Sequence, residues 1–104
     1  MLSVKNIKII EELGARQTII GTGKDIIFQS YNSTIAIIRL GELIYIGKDW
    51  DYSKTTSKFR NIFFKKYLKK LDTTKELKKF ISEKMEYSGQ DAGYISTEYK
   101  YIFR

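Results

Sequence analysis

The first half of the chain carries the hydrophobic pattern of short β-strands. Five segments rich in β-branched residues follow one another up to about Gly47, separated by short turns of which three of the four contain glycine. These segments are Val4–Leu13, Thr18–Ile20, Ile26–Phe28, Thr34–Leu40 and Leu43–Ile46. Because short connections join antiparallel neighbours, this half predicts an antiparallel meander of four to five strands. Adjacent isoleucines at positions 9–10 and 37–38 break strict alternation, which indicates bulges or a sheet covered on both faces.

The second half changes to a helical period. Two apolar stripes with helical spacing consist of Phe59, Ile62, Phe63 and Tyr67 and of Leu77, Phe80, Ile81 and Met85. Thr73 followed by Glu76 predicts a capping box at the start of the second helix, and Ser88–Gly89 predicts its end. The alternating tail from Tyr94 to Phe103 predicts a last strand that returns to the sheet. We therefore expect one α+β domain over residues 1–104.

The composition removes much catalytic and metal chemistry. The 104 residues contain no Cys and no His, which excludes disulfides, thiolate nucleophiles and the commonest proton shuttle. Two catalytic motifs fit only in part. Gly21–Lys24 is followed by Asp25 where a phosphate loop needs Ser or Thr, and Asp91 stands at a loose, nuclease-like spacing from Glu98–Lys100. We expect no enzyme activity, cofactor, metal or membrane partner; the oligomeric state stays open.

Positive charge is concentrated in the helical half. Between residues 54 and 84 there are eleven basic and three acidic residues, a net charge of +8, whereas the rest of the chain has a net charge of −1. Helical spacing predicts that Lys58, Lys65 and Lys69 lie together on the first helix, with Lys66 and Lys70 alongside, opposite its apolar stripe. The candidate residues for binding a partner or nucleic acid are Lys58, Lys65, Lys66, Lys69, Lys70, Lys75, Lys78 and Lys79.

This lysine-rich segment has two interpretations. It is either a solvated helix face or a contact surface for a polyanion. Since Lys dominates over Arg, a nucleic-acid contact would involve the phosphate backbone more than base edges.

Two segments combine polar and aromatic residues in a way that the packing of a fold alone does not explain. Residues 28–33 read F-Q-S-Y-N-S, and residues 50–56 read W-D-Y-S-x-T-T. Ser53, Thr55 and Thr56 are candidate helix N-caps, which explains part of the second segment. A second contact site is the alternative explanation. Its candidate residues are Gln29, Tyr31, Asn32, Trp50 and Tyr52.

These two segments resemble a family of small, uncharacterised proteins encoded by tailed phages and prophages, over roughly Glu12 to Ser82. The resemblance implies a phage or mobile-element origin and supplies no catalytic residues. With the basic helices, it leads us to expect a non-enzymatic inhibitor of a host defence ribonucleoprotein or nuclease, in the manner of anti-CRISPR proteins. The alternative is a free-standing nucleic-acid-binding protein of phage replication or transcription, with low sequence specificity. A third possibility is an assembly protein whose charge serves solubility. In the first two cases the partners are a host protein or ribonucleoprotein, or nucleic-acid backbone, in the host cytoplasm.

Overall fold

The computed structural model describes residues 8–89 and 93–98. In this part of the chain a seven-stranded antiparallel sheet is combined with two helices, which confirms the predicted α+β class. The elements are β1 (Lys8–Gly14), β2 (Gln17–Gly21), β3 (Asp25–Ser30), β4 (Ser33–Arg39), β5 (Glu42–Ile46), α1 (Lys54–Tyr67), α2 (Thr74–Lys84), β6 (Met85–Tyr87) and β7 (Tyr94–Ser96). The sheet order is β1-β2-β3-β4-β5-β7-β6, so the chain returns after the helices and inserts β7 beside β5. No helix within the described residues is both long and apolar enough to cross a membrane.

Both helices cover the same face of the sheet. Ile19, Phe28 and Ala36 lie opposite one another on neighbouring strands and are buried. Phe63 of α1 stacks on Phe28 with ring centroids 5.6 Å apart, and Leu77 of α2 is buried in the same core cluster. Burying one such side chain fully contributes roughly 1.5–3 kcal/mol, so this shared core holds the helical layer on the sheet.

The isoleucines at positions 9–10 mark a bulge, as one of the two interpretations predicts, because Ile9 pairs with Ile20 and Glu11 with Ile19, which makes Ile10 the extra residue. Ile37 and Ile38 are not bulged; the register shift beside them makes Ile44 of β5 the extra residue. A bulge adds one residue to one strand and lets two consecutive apolar residues fit the sheet.

Side-chain caps define where both helices begin. The Ser53 hydroxyl accepts a hydrogen bond from the Thr56 amide at 3.1 Å, and the Thr73 hydroxyl accepts one from the Glu76 amide at 3.1 Å. Each cap satisfies a backbone donor that has no partner inside the helix. Ser53 is the cap of α1 among the three candidates, and the predicted start of α2 is confirmed.

The predicted end of the first helix is wrong. α1 ends at Tyr67, so Lys69 and Lys70 lie in the connection between the helices and not on α1. Lys69 has a φ of 62°, and its amide donates to the Phe64 carbonyl at 2.7 Å. A left-handed residue with such a bond terminates a helix. Of the predicted apolar stripe, Phe63 is fully buried, whereas Ile62 is 39% exposed.

The second helix and the last strand are both shorter than predicted. α2 ends at Lys84, because Met85 has extended backbone angles and pairs with Ser96 of β7. Met85 is therefore the first residue of β6, which the sequence pattern did not reveal. β7 ends at Ser96, and residues 97 and 98 form a turn. The rest of the predicted strand, to Phe103, lies outside the described residues. Asp91 and Lys100 of the partial nuclease motif lie outside them as well.

Candidate functional site

Seven of the eight predicted lysines are exposed on α1, on α2 or on the connection between the two helices. We call Lys58, Lys65, Lys69, Lys70, Lys75, Lys78 and Lys79 the lysine surface. The buried residues of α1 and α2 face the core, whereas the five lysines of this set that belong to the helices are exposed, as are Lys69 and Lys70 in the connection. Within residues 8–89 and 93–98, none of the seven forms an ion pair with a carboxylate.

Lys66 differs from the other predicted lysines because a carboxylate pairs with it. Its ammonium group bonds the Glu11 carboxylate on β1, and the Tyr67 hydroxyl donates to the same oxygen at 2.8 Å. These two hydrogen bonds, led by the one from Lys66, lower the pKa of Glu11. Burial, followed by the bond to Glu11, raises the pKa of Tyr67 to about 12. Lys66 therefore joins α1 to β1. Because its charge is paired with Glu11, it is less available to a binding partner than the charges of the lysine surface.

Arg60 counts toward the charge of the helical half, yet it is fully buried. Its guanidinium donates to the Trp50 carbonyl at 2.6 Å, to the Thr74 hydroxyl at 2.6 Å and to the Asn61 side chain at 2.9 Å. It also lies 5.3 Å from the centre of the Trp50 ring and 3.7 Å from the exposed Asp51 carboxylate. Burial lowers the pKa of Arg60, while Asp51 favours its charged form. Arg60 therefore fastens the loop before α1 to the start of α2.

A cleft of about 670 Å³ lies where the two unusual polar segments meet. One side consists of residues 30–33 from the β3–β4 turn with Ile35, and the other of Asp49, Tyr52, Ser53, Thr55 and Thr56 around the start of α1. Tyr31, Asn32 and Tyr52, three of the five predicted contact residues, thus come together. Gln29 and Trp50 do not line this cleft.

Side-chain hydrogen bonds join the two walls of the cleft. The Ser30 and Thr56 hydroxyls lie 3.1 Å apart, which connects the end of β3 to the first turn of α1. The Ser33 hydroxyl donates to Asp49 Oδ2 at 2.8 Å. The sequence-based list of contact residues missed Ser33 and Asp49. Their positions inside or beside the two polar segments were the signal that could have included them.

The aromatic rim of the cleft is open to solvent. Tyr52 is 76% exposed and Tyr31 is 49% exposed. Tyr31 has a φ of 55°, and its amide donates to the Arg16 carbonyl at 2.7 Å. The Arg16 guanidinium lies 5.1 Å from the centre of the Tyr31 ring. The turn before β2 therefore contacts Tyr31, and about half of the residue remains exposed.

These features define a small α+β protein with a basic helical layer and a polar cleft at one end of it. The chain belongs to DUF8033, a protein family of unknown function, which it matches over residues 4–84. This range contains both polar segments and every lysine of the lysine surface. No curated protein and no solved structure matches the chain. A phage origin stays a prediction.

Proposed function

We propose that this protein binds the phosphate backbone of nucleic acids through the lysine surface, with low sequence specificity. The observation that carries the proposal is the group of seven exposed lysines on one helical layer, without carboxylate partners among the described residues. Lys presents a mobile point charge suited to phosphates, whereas reading base edges favours the planar fork of Arg. The one Arg in this half of the fold, Arg60, is buried.

The arrangement of the lysines has an energetic cost that a polyanion would remove. Lys75 and Lys79 are four residues apart on α2, so their charges repel. Such a pair destabilises a helix by roughly 0.2–0.5 kcal/mol. Bound phosphates would replace this repulsion by attraction and release the counterions condensed on the nucleic acid.

A salt titration with matched charge variants tests the proposal. Binding of a fluorescent 12-nucleotide DNA strand is measured by anisotropy at several salt concentrations. The double variant Lys65→Gln/Lys69→Gln should weaken binding and reduce the log–log salt slope by roughly 1.4, because each single-strand phosphate contact contributes about 0.7. The control Lys8→Gln/Lys24→Gln removes the same charge from exposed positions outside the helical layer and should leave the slope unchanged.

Two results would contradict the proposal. One is the absence of binding to single-stranded or duplex DNA and RNA even at low salt. The other is an equal loss for the two double variants, which would mean that net charge alone causes the binding and that the lysine surface is not a site.

We retain inhibition of a host defence ribonucleoprotein as a second hypothesis, because it would use the same lysine surface. The protein would then contact guide RNA, bound DNA or an acidic groove of the nuclease. Capture from host lysate with and without nuclease treatment separates an RNA-dependent partner from a purely protein one. Both hypotheses place the protein in the cytoplasm of the host cell.

A further inference from the structure

The tyrosines at the rim of the cleft have no role in the packed core. Tyr52 is three-quarters exposed, and half of Tyr31 is exposed although a turn contacts it. Tyr31 also occupies the left-handed region, where a bulky residue costs roughly 1–2 kcal/mol relative to an ordinary conformation. A glycine or asparagine would meet the same turn at lower cost. Arg16 and Leu40 adopt the same conformation in their turns, so the exposure of the two tyrosine rings beside a cleft is the observation that suggests a ligand.

The walls of the cleft offer hydrogen bonds but no positive charge. Hydroxyl groups and the exposed amide of Asn32 line it, and Asp49 is the charged residue of the lining that the structure describes. The bond from Ser33 occupies Asp49 Oδ2 and leaves Oδ1 to accept another donor. A carboxylate repels phosphate, so the cleft does not suit a phosphate group. Its hydroxyls, its amide and the two exposed tyrosine rings suit a flat, neutral group with donors and acceptors at its edge.

The lysine surface begins next to this cleft. Thr55 lines the cleft, and Lys58 lies one turn further along α1, about 4.5 Å along the axis at 1.5 Å per residue. Lys65 follows about 15 Å from Thr55 along the same helix. The nearest residue of the lysine surface on α1 is therefore only three residues from the cleft lining.

We infer that the cleft binds one unstacked base of a single-stranded nucleic acid whose backbone lies along the lysine surface. The inference rests on the proposed function and goes further, because it makes a single strand the preferred ligand over a duplex. The base stacks on Tyr52, the more exposed of the two rings, and its edge meets Asn32 and Asp49 Oδ1. The volume of about 670 Å³ lies within the range of roughly 300–1,000 Å³ that is usual for small-molecule sites and accommodates a base with its sugar.

The test compares a 12-nucleotide DNA strand with an abasic strand of the same length and with the matching duplex. The wild-type protein should bind the intact strand about 5- to 100-fold more tightly than the abasic one, since stacking on one aromatic ring has this effect. Tyr52→Ala should abolish that difference and leave both the affinity for the abasic strand and the salt slope unchanged. Tyr52→Phe keeps the ring and should retain the preference.

Tyr87→Ala is the matched control, because Tyr87 is 60% exposed and does not line the cleft. It should keep the preference for the intact strand. Equal binding of intact and abasic strands by the wild type, with the lysine dependence preserved, would overturn the inference and leave the proposed function standing. If no strand binds at low salt, the proposed function itself fails. If Tyr52→Ala loses binding to a captured protein while nucleic acid never binds, the cleft is a protein contact and the inference is wrong.

Discussion

Replacing Arg60 by Met should destabilise the fold more than any other change of a basic residue in the helical half. Methionine has a similar length and fills the same buried space, but it cannot donate the hydrogen bonds of the guanidinium. The acceptors left without their partner are the Trp50 carbonyl and the side chains of Thr74 and Asn61. The loop before α1 would then lose its connection to the start of α2.

The expected magnitude follows from these three hydrogen bonds. Bonds from a charged group contribute about 1.5–3 kcal/mol each, so the gross loss is roughly 5–9 kcal/mol. Removing the guanidinium also removes the cost of burying its charge, which is several kcal/mol. We expect a net loss of roughly 2–4 kcal/mol from a total stability of roughly 5–15 kcal/mol.

Urea unfolding followed by circular dichroism measures this loss. At a slope of roughly 2 kcal/mol per molar urea, the midpoint of Arg60→Met should fall by about 1–2 M. Arg60→Lys keeps the charge but loses the planar fork, so its midpoint should fall as well. Lys65→Met makes the same kind of change at an exposed position of α1 and should stay within about 0.5 kcal/mol of wild type. An Arg60→Met protein as stable as wild type would refute the argument that these contacts hold the loop.

Two further predictions concern a strained turn and a shifted phenol. Leu40→Asn should raise the melting temperature by about 2–10 °C, because Leu40 is 86% exposed with a φ of 52° and Asn tolerates that conformation. Leu40→Ala is the control, since alanine keeps the backbone strain. An equal rise in Leu40→Ala would show that relief of strain is not the cause. Glu11→Gln should lower the pKa of Tyr67 from about 12, as seen in ultraviolet titrations with Tyr67→Phe as reference. Since the pKa of the Tyr67 phenol lies above its ordinary value of 10.0, the contribution of the protonated phenol to the stability of the fold is complete below about pH 10 and is lost as pH rises through about 12. An unchanged Tyr67 pKa in Glu11→Gln would contradict the hydrogen bond between Tyr67 and Glu11.

Local patterns predicted most of the secondary structure of this protein. The glycine-containing turns, the β-branched segments and the two hydroxyl caps each act over a few residues, so their effect is visible in the sequence. The same locality explains the errors. β6 is only three residues long and directly follows a helix, and Lys69 and Leu71 adopt left-handed angles that their residue types do not favour. Tertiary packing decides such positions.

The sequence by itself determined the α+β class, the order of the main elements and the concentration of lysine after residue 54, because composition and periodicity act locally. Only the tertiary structure decided which charges remain available. It buries Arg60 beneath Trp50 and pairs Lys66 with Glu11, a residue 55 positions away. It also joins two polar segments about 20 residues apart into one cleft. Such contacts depend on where strands and loops end in space, and no short window of sequence contains that information.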